Sequence, residues 1–296
     1  MHTRRPACTS FRRVNFLLFT LSFRLFTLSF PYLCSSNIQF MSSLEVIALI
    51  VSGVFVGFIN TLAGGGTIIS LSIFMFMGLP ADIANGTNRI AVILQNITSV
   101  TSFRHQKLLD TRKALWLSIP TVIGSILGAQ LSVQIDEATF RKAIAVVMLM
   151  MVFFILTKPS KWLKGQEDLQ KQKVSPLQML IFFGIGVYGG FVQVGVGYFL
   201  LAGIVLGAGY DLVKANAIKV FIVLLYTIFA LIVFIYHGKV NWQFGLIHAI
   251  GNIIGAYVAS RYAIAWGANF IRWFIIVIIL ITSVDLLGII DIKGLF

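Results

Sequence analysis

The sequence predicts an all-α polytopic membrane protein of about eight spanning helices plus two short broken or re-entrant segments, built from two homologous repeats. Three observations predict this fold class. Hydrophobic residues make up 58% of the 296 residues and charged residues only 11%, whereas a soluble domain needs more polar surface. Two long apolar segments are each interrupted by glycines. Matching landmarks recur in one order about 130 residues apart, which indicates an internal duplication.

We divide the chain into an N-terminal extension at 1–40, a first membrane repeat at 41–157, a basic loop at 158–175 and a second membrane repeat at 176–296. We interpret 1–40, which contains arginines and no acidic residue, as a disordered or mistranslated extension before a natural start at Met41. A cleaved signal peptide is the alternative, because a basic region precedes an apolar one, although Arg24 interrupts that apolar run.

The first repeat begins with a predicted span at 44–63 that breaks at Gly64-Gly65-Gly66. The apolar run after the break, 67–79, is too short to cross a hydrocarbon core of about 30 Å. It either returns to the side it came from or crosses, and the distribution of Lys and Arg favours the return, with both termini cytoplasmic. That count places Arg89 and Lys219 among the non-cytoplasmic charges.

The second repeat follows the same order. A span at 176–193 leads to glycines at 195 and 197, then to a short apolar run at 198–208 and a helix at about 214–236. A further span carries the small residues of 251–256, which mirror 124–129 in the first repeat, and the last span surrounds Arg272. Interrupted apolar segments at corresponding places in two halves are the best sequence indication of a transporter's binding site.

Asn85 and Asn216 are predicted to open new helices after the breaks. The N-terminus of a helix has unpaired N–H groups and a partial positive charge, so two such ends would favour a small anion. Lys219 would add a full charge if it points inward. Alternatively, it snorkels to the membrane interface, as lysines near helix ends often do. The sequence leaves both interpretations of Lys219 open.

The candidate substrate-binding residues are the polar side chains at the breaks and at the predicted helix openings: Asn60, Thr67, Asn85, Thr87, Asn88, Gln193, Asn216 and Lys219. For Asn60 and Gln193 the alternative role is to cap carbonyls freed by the broken backbone. Gln95 and Asn96 either line the same cavity or form hydrogen bonds between helices.

Several function classes are excluded by the same sequence. The chain has no phosphate-binding loop of its own, and its histidines lack the spacing of a metal site, so we expect no ATPase, no cofactor, no metal and no enzymatic activity. The net charge of +13 is explained by membrane topology, so no nucleic-acid partner is expected. The expected partners are the lipid bilayer and a small anionic substrate. The sequence indicates no oligomeric state.

The glycine break within 57–67, the following Gly78-Leu79-Pro80 and Asn85-Gly86-Thr87-Asn88, and their degenerate second copy resemble the TauE/SafE family of sulfite exporter-like permeases. The resemblance covers the chain from about residue 44 to the end. It implies a secondary transporter of sulfur oxyanions or organosulfonates. The second copy has Ile218-Lys219 in place of Thr87-Asn88, so two symmetric sites are not implied.

The sequence therefore predicts a multi-pass permease of the cell inner membrane that moves a small anion by alternating access, coupled to a proton gradient. The alternative, from a different class, is a passive channel or a membrane assembly factor that transports nothing.

Overall fold

In the computed structural model, every element of the described chain is a helix. The structure describes residues 41–134, 169–170 and 174–286, and from residue 264 onward it describes only the backbone, apart from residue 265. The predicted extension at 1–40, the predicted span at 140–157 and most of the basic loop lie outside the described residues.

The described residues form the same succession of helices in a first half (41–134) and a second half (174–286). A long helix is followed by a short one and then by two long ones. The helices are α1 (Ser43–Leu62), α2 (Thr67–Phe76), α3 (Ala81–His105), α4 (Thr111–Gln134), α5 (Pro176–Phe191), α6 (Val196–Ala202, extended by a π-helical turn at Gly203–Gly207), α7 (Leu212–Tyr236) and α8 (Trp242–Leu286).

Both predicted breaks are present. The first separates α1 from α2 and the second separates α5 from α6. Gly64 in the first break has φ of 93° and Gly195 in the second has φ of 70°. Residues with a Cβ rarely adopt this left-handed conformation, so glycine is what allows the chain to leave the helix there.

Long helices of the two halves pack against each other. α1 of the first half packs along α8 of the second, and α5 of the second half packs along α4 of the first. The close approach depends on glycines: a Cβ added at any of four positions would lie within 2.2 Å of a carbonyl oxygen of the facing helix, at Gly124, Gly128, Gly251 and Gly255. Small residues let helices in a membrane approach in this way.

The predicted starts of two helices were wrong. α3 begins at Ala81 and α7 at Leu212, so Asn85 and Asn216 lie in the second turn and not at the opening. The local reason is the residue that precedes each helix. Pro80 occupies the N-cap of α3, and the side chain of Asp211 accepts hydrogen bonds from the first turn of α7.

α8 is one helix of 45 residues, whereas two separate spans were predicted from the sequence. It is about 68 Å long at 1.5 Å per residue, roughly twice the hydrocarbon core. No proline lies between 242 and 286, so nothing forces the chain out of the helix there. Within the described residues, three helices satisfy a strict criterion of length and apolarity for crossing a membrane: Ser43–Leu62, Thr111–Gln134 and Leu212–Tyr236.

Candidate functional site

The two breaks touch each other inside the helical bundle. A Cβ added at Gly64 would lie 2.4 Å from the Cα of Gly197, and the reverse substitution would give the same distance. The two backbones are therefore in direct contact, with no room for any side chain between them. This contact brings residues that are far apart in the sequence around a single point.

A cavity lies beside this contact. Its empty volume is about 290 Å³, counting the open space at its mouth, and its enclosed part has room for only about one or two water molecules. Both halves contribute to the wall, which contains polar side chains and valines. The lining residues are Asn60, Gly64, Thr67, Val92, Gln95, Asn96, Gln193, Val196, Gly197, Lys219, Val223 and Tyr226.

Lys219 is the positively charged side chain in the cavity wall, and only 1% of its surface is exposed. Its Nζ donates hydrogen bonds to the main-chain oxygens of Asn60 at 3.0 Å and Thr61 at 2.9 Å. A third hydrogen bond, of 2.8 Å, goes to Oδ1 of Asn216. The ammonium therefore points inward, and the snorkelling alternative is wrong. Asn216 holds the ammonium from the same face of α7.

Arg89, from the first half of the chain, makes the corresponding contact with main-chain oxygens of the second half. Its side chain is fully buried, and its guanidinium donates to the main-chain oxygens of Gly189 at 3.3 Å and Gly190 at 2.5 Å. Its Cζ lies 4.6 Å from the centre of the Phe234 ring, within the range of a cation–π contact. Arg89 does not line the cavity.

Amide side chains connect the two halves across the cavity. Gln193, in the second break, accepts a hydrogen bond of 3.4 Å from Nδ2 of Asn88. Its own Nε2 donates to Oγ1 of Thr227 at 2.8 Å. In the first break, Nδ2 of Asn60 reaches Oγ1 of Thr67 at 3.5 Å. Asn60 and Gln193 thus both face the cavity, and these hydrogen bonds join their amides to other side chains and not to the carbonyls freed by the breaks.

Gln95 is the lining residue with an unused polar atom. Its side chain is 2% exposed, and Oε1 has no hydrogen-bond partner. The neighbouring Asn96 donates from Nδ2 to the main-chain oxygen of Val92. A buried polar group without a partner is costly, so this acceptor oxygen is available to a hydrogen-bond donor on a molecule that enters the cavity.

A comparison with protein-family models identifies the family of the chain. The family model described as "Sulfite exporter TauE/SafE" matches residues 49–286. The chain belongs to the TauE/SafE family. The family and the names of the relatives given below indicate a membrane transporter and not an enzyme. No solved structure matches the chain significantly.

Three curated relatives of this TauE/SafE protein are named as probable membrane transporter proteins. ORF9 of Sinorhizobium sp. is 27% identical over 242 residues, which cover 81% of the chain and 91% of the relative. YfcA of Escherichia coli strain K12 is 26% identical over 253 residues, covering 85% and 93%. A protein of Haemophilus influenzae is 27% identical over 237 residues, covering 79% and 91%.

The structure gathers only part of the predicted site. Of the eight candidates, Asn60, Thr67, Gln193 and Lys219 line the cavity. Asn88 and Asn216 stand behind it and hold Gln193 and Lys219. The other two serve elsewhere, because Asn85 donates to the main-chain oxygen of Phe191 at 2.9 Å and Thr87 accepts from the backbone N–H of Asn241 at 2.8 Å.

The roles of Arg89 at the second break and of Tyr226 in the cavity wall were not identified from the sequence. Arg89 was counted only among the non-cytoplasmic charges, and the start of its helix was predicted four residues too late. Tyr226 is one aromatic residue in a continuous apolar run, and only its position 131 residues after Gln95 could have indicated it. Gln95 and Tyr226 both line the cavity.

The charged side chains buried at the centre of the described bundle are positive. Among the side chains described in this TauE/SafE protein, the acidic residues are Glu45, Asp82, Asp110 and Asp211. Each lies at a helix end or in the loop before a helix. Arg89 and Lys219 are buried well inside α3 and α7, and the hydrogen bonds they donate go to carbonyl oxygens. Within the described residues, the centre of the bundle is therefore positive.

Proposed function

We propose that this membrane transporter is a permease that moves a small anion, of the sulfur oxyanion or organosulfonate class, across the cell inner membrane by alternating access. The observation that carries the proposal is the buried ammonium of Lys219 in the cavity wall, without a buried carboxylate among the described residues. A charge in such a place is expensive unless something compensates it. The oxygens around Nζ accept its three hydrogen bonds but carry no net charge, so a bound anion would supply the counter-charge.

The rest of the wall suits an oxyanion. Nε2 of Gln95 and the second N–H of Asn96 can act as neutral donors, whereas Gln193 donates its N–H groups to Thr227 and Tyr226. The helix α2 begins at the cavity with no side chain capping its N-terminus, and backbone N–H groups at such an end favour negative charge. The wall also contains Val92, Val196 and Val223, which would contact the carbon chain of an organosulfonate.

The position of the cavity supports alternating access. It lies where the breaks of the two halves touch, so a change in the angle between the halves would open it first to one side and then to the other. The sulfur class itself rests on the description of the family model. The described geometry supports a small anion, and the family supports its chemistry.

Counterflow in proteoliposomes tests the proposal. Vesicles loaded with unlabelled sulfite, a short alkylsulfonate or sulfoacetate should accumulate the radiolabelled anion transiently, because a carrier exchanges its substrate. Lys219→Met removes the charge and keeps the side-chain length, so we expect at least a 100-fold loss of exchange. Lys214→Ala, at an exposed lysine on the same helix, is the control and should exchange at the normal rate.

Two results would contradict the proposal. Tracer that equilibrates without transient accumulation would indicate a passive channel. Full exchange by Lys219→Met would remove the ammonium from the site.

Proton coupling is part of the same proposal. Lys219 and Tyr226 are the ionisable side chains in the described wall of the cavity, and a transporter can carry a proton on such a group. An imposed pH gradient should drive anion accumulation in vesicles without a sodium gradient, and a protonophore should abolish it. Accumulation that persists with the protonophore would contradict proton coupling and leave anion exchange unaffected.

A further inference from the structure

The last turns of α1 and α5 end inside the protein and expose carbonyl oxygens there. The final carbonyls of a helix have no intrahelical partner and carry a partial negative charge. Water satisfies such groups at a protein surface, but the oxygens of Thr61 and Gly190 lie next to the breaks, in buried residues. Each end therefore needs a donor from elsewhere in the molecule.

In both cases the donor is a cation from the other half of the chain. Lys219, in the second half, binds the end of α1 through the carbonyls of Asn60 and Thr61. Arg89, in the first half, binds the end of α5 through the carbonyls of Gly189 and Gly190. The pairs are 158 and 101 residues apart in the sequence, so the arrangement is a property of the assembled bundle.

The ligands around Lys219 are those of a monovalent cation site. Three oxygens surround Nζ at 2.8 to 3.0 Å, two from the main chain of the last turn of α1 and one from a side-chain amide. An ammonium has three hydrogens to donate, and these three oxygens account for all of them. Transporters with broken helices use carbonyls of the same kind to bind a coupling sodium ion.

We propose that Lys219 is a tethered cation that fills a carbonyl-lined monovalent cation site at the carboxyl end of α1, while Arg89 neutralises the end of α5 in an equivalent way. The transporter consequently needs no sodium or potassium ion at the first break. Removal of the Lys219 side chain opens a site that accepts a free monovalent cation. The inference concerns what holds the Lys219 ammonium, and its test measures cation binding without any transport, so it can fail while the proposed anion transport is upheld.

The experiment measures the thermal stability of the purified full-length protein without any candidate substrate. The melting temperature is followed by tryptophan fluorescence in choline chloride and in equal concentrations of ammonium, methylammonium, sodium or potassium chloride. Lys219→Ala should melt about 3–6 °C higher in at least one of the small cations than in choline, because a ligand that binds only the folded state stabilises it.

Two controls show whether the effect belongs to the emptied site. Lys219→Met fills the site with an uncharged chain of similar length, so its melting temperature should not depend on the cation. Lys214→Ala removes an exposed lysine of the same helix and should behave like the wild type, which should also be insensitive to the choice of cation.

A second open variant covers the case in which Lys219→Ala does not reach the membrane. Lys219→Ser leaves nearly the same space, and its short hydroxyl does not reach the carbonyls that Nζ binds, so the same dependence on small cations is expected. Whichever of Lys219→Ala and Lys219→Ser folds is the open variant that is tested. If its melting temperature is equal in all salts, the proposal is overturned. A wild-type protein that responds to sodium or ammonium as strongly as the open variant would also overturn it.

Discussion

The two breaks occupy matching places in the two halves, yet the chain leaves the helix differently in each. In the first, Ala63 keeps a helical backbone conformation with φ of −113° and ψ of −42°. In the second, Val192 is extended, with φ of −139° and ψ of 120°. The first break is a tight turn and the second an open one, although both contain a left-handed glycine.

The cations that stabilise the breaks differ in the same way. The end of α1 is held by Lys219, which lines the cavity, whereas the end of α5 is held by Arg89, which does not. Lysine is a compact point charge on a flexible stem, while arginine is a planar group that binds two acceptors and stacks on an aromatic ring. Both breaks contribute residues to the cavity wall, Asn60 from the first and Gln193 from the second, but of the two cations only the one at the first break is part of that wall.

The largest expected effect comes from the point where the breaks touch. Gly197→Ala places a Cβ 2.4 Å from Gly64, and Gly64→Ala adds the strain of φ at 93°. We expect each to cost more than about 3 kcal/mol, with Gly64→Ala the more damaging, because backbone on both sides leaves no room to relax. The amount of folded protein recovered from membranes and its melting temperature measure this.

Gly184→Ala is the matched control for these substitutions. Nothing lies within 4 Å of a Cβ added there, so it should fold normally. Normal folding of Gly197→Ala would show that the two breaks are not in contact.

An intermediate effect is expected from Arg89→Lys. The substitution keeps the charge but loses one of the two carbonyl contacts and the stacking on Phe234, at a cost of about 1–2 kcal/mol. Because Arg89 does not line the cavity, the KM for the transported anion should be unchanged. Melting temperature and concentration-dependent uptake, compared with Lys219→Met, test whether the two cations have different tasks. A KM raised tenfold would place Arg89 at the substrate.

The smallest effect concerns a contact outside the breaks. In the loops before α4 and α7, the hydroxyl of Tyr210 donates to Asp110 at 2.5 Å. Burial acts to raise the pKa of Asp110, but this bond and the N–H groups of Lys113 and Arg112 lower it below its usual value of 3.8. A lowered folded pKa stabilises the protein above pH of about 4, and this stability is lost as the pH falls through the folded value.

Tyr210→Phe should therefore destabilise the protein at pH 7 by less than about 1 kcal/mol, since the carboxylate is partly exposed to solvent. The difference from the wild type should shrink as the pH is lowered towards 3, where the carboxyl group gains its proton. Melting temperatures at both pH values measure this. An equal deficit at pH 7 and pH 3 would assign the loss to packing.

The breaks could be predicted from the sequence because they depend on local properties. Glycines that interrupt an apolar run mark them directly, and the bounds of α1 and α5 followed within about two residues. The chemistry around the breaks was harder to predict. Arg89 lies well inside α3 because that helix begins at Ala81, and its target carbonyl at Gly189 is 100 residues away in the sequence.

Which helix packs against which could not be predicted from the sequence either. The small residues of 124–129 and 251–256 indicate faces that admit a close neighbour, but such a face does not specify which helix will occupy it. The pairing of α1 with α8 and of α5 with α4 is decided by the fit of whole surfaces. The unpaired Oε1 of Gln95 is similarly a property of the folded interior.

The packing of long helices from one half against those of the other also bears on how the protein is made. α1 leaves the ribosome early, but its partner surface on α8 follows much later, as the contact between Leu49 and His248 spans 199 positions. Until α8 is made, the face of α1 that will pack against it is in contact with lipid or with the insertion machinery. A nascent chain that ends after α4 would lack this partner, and we expect cellular quality control to recognise it as incompletely folded.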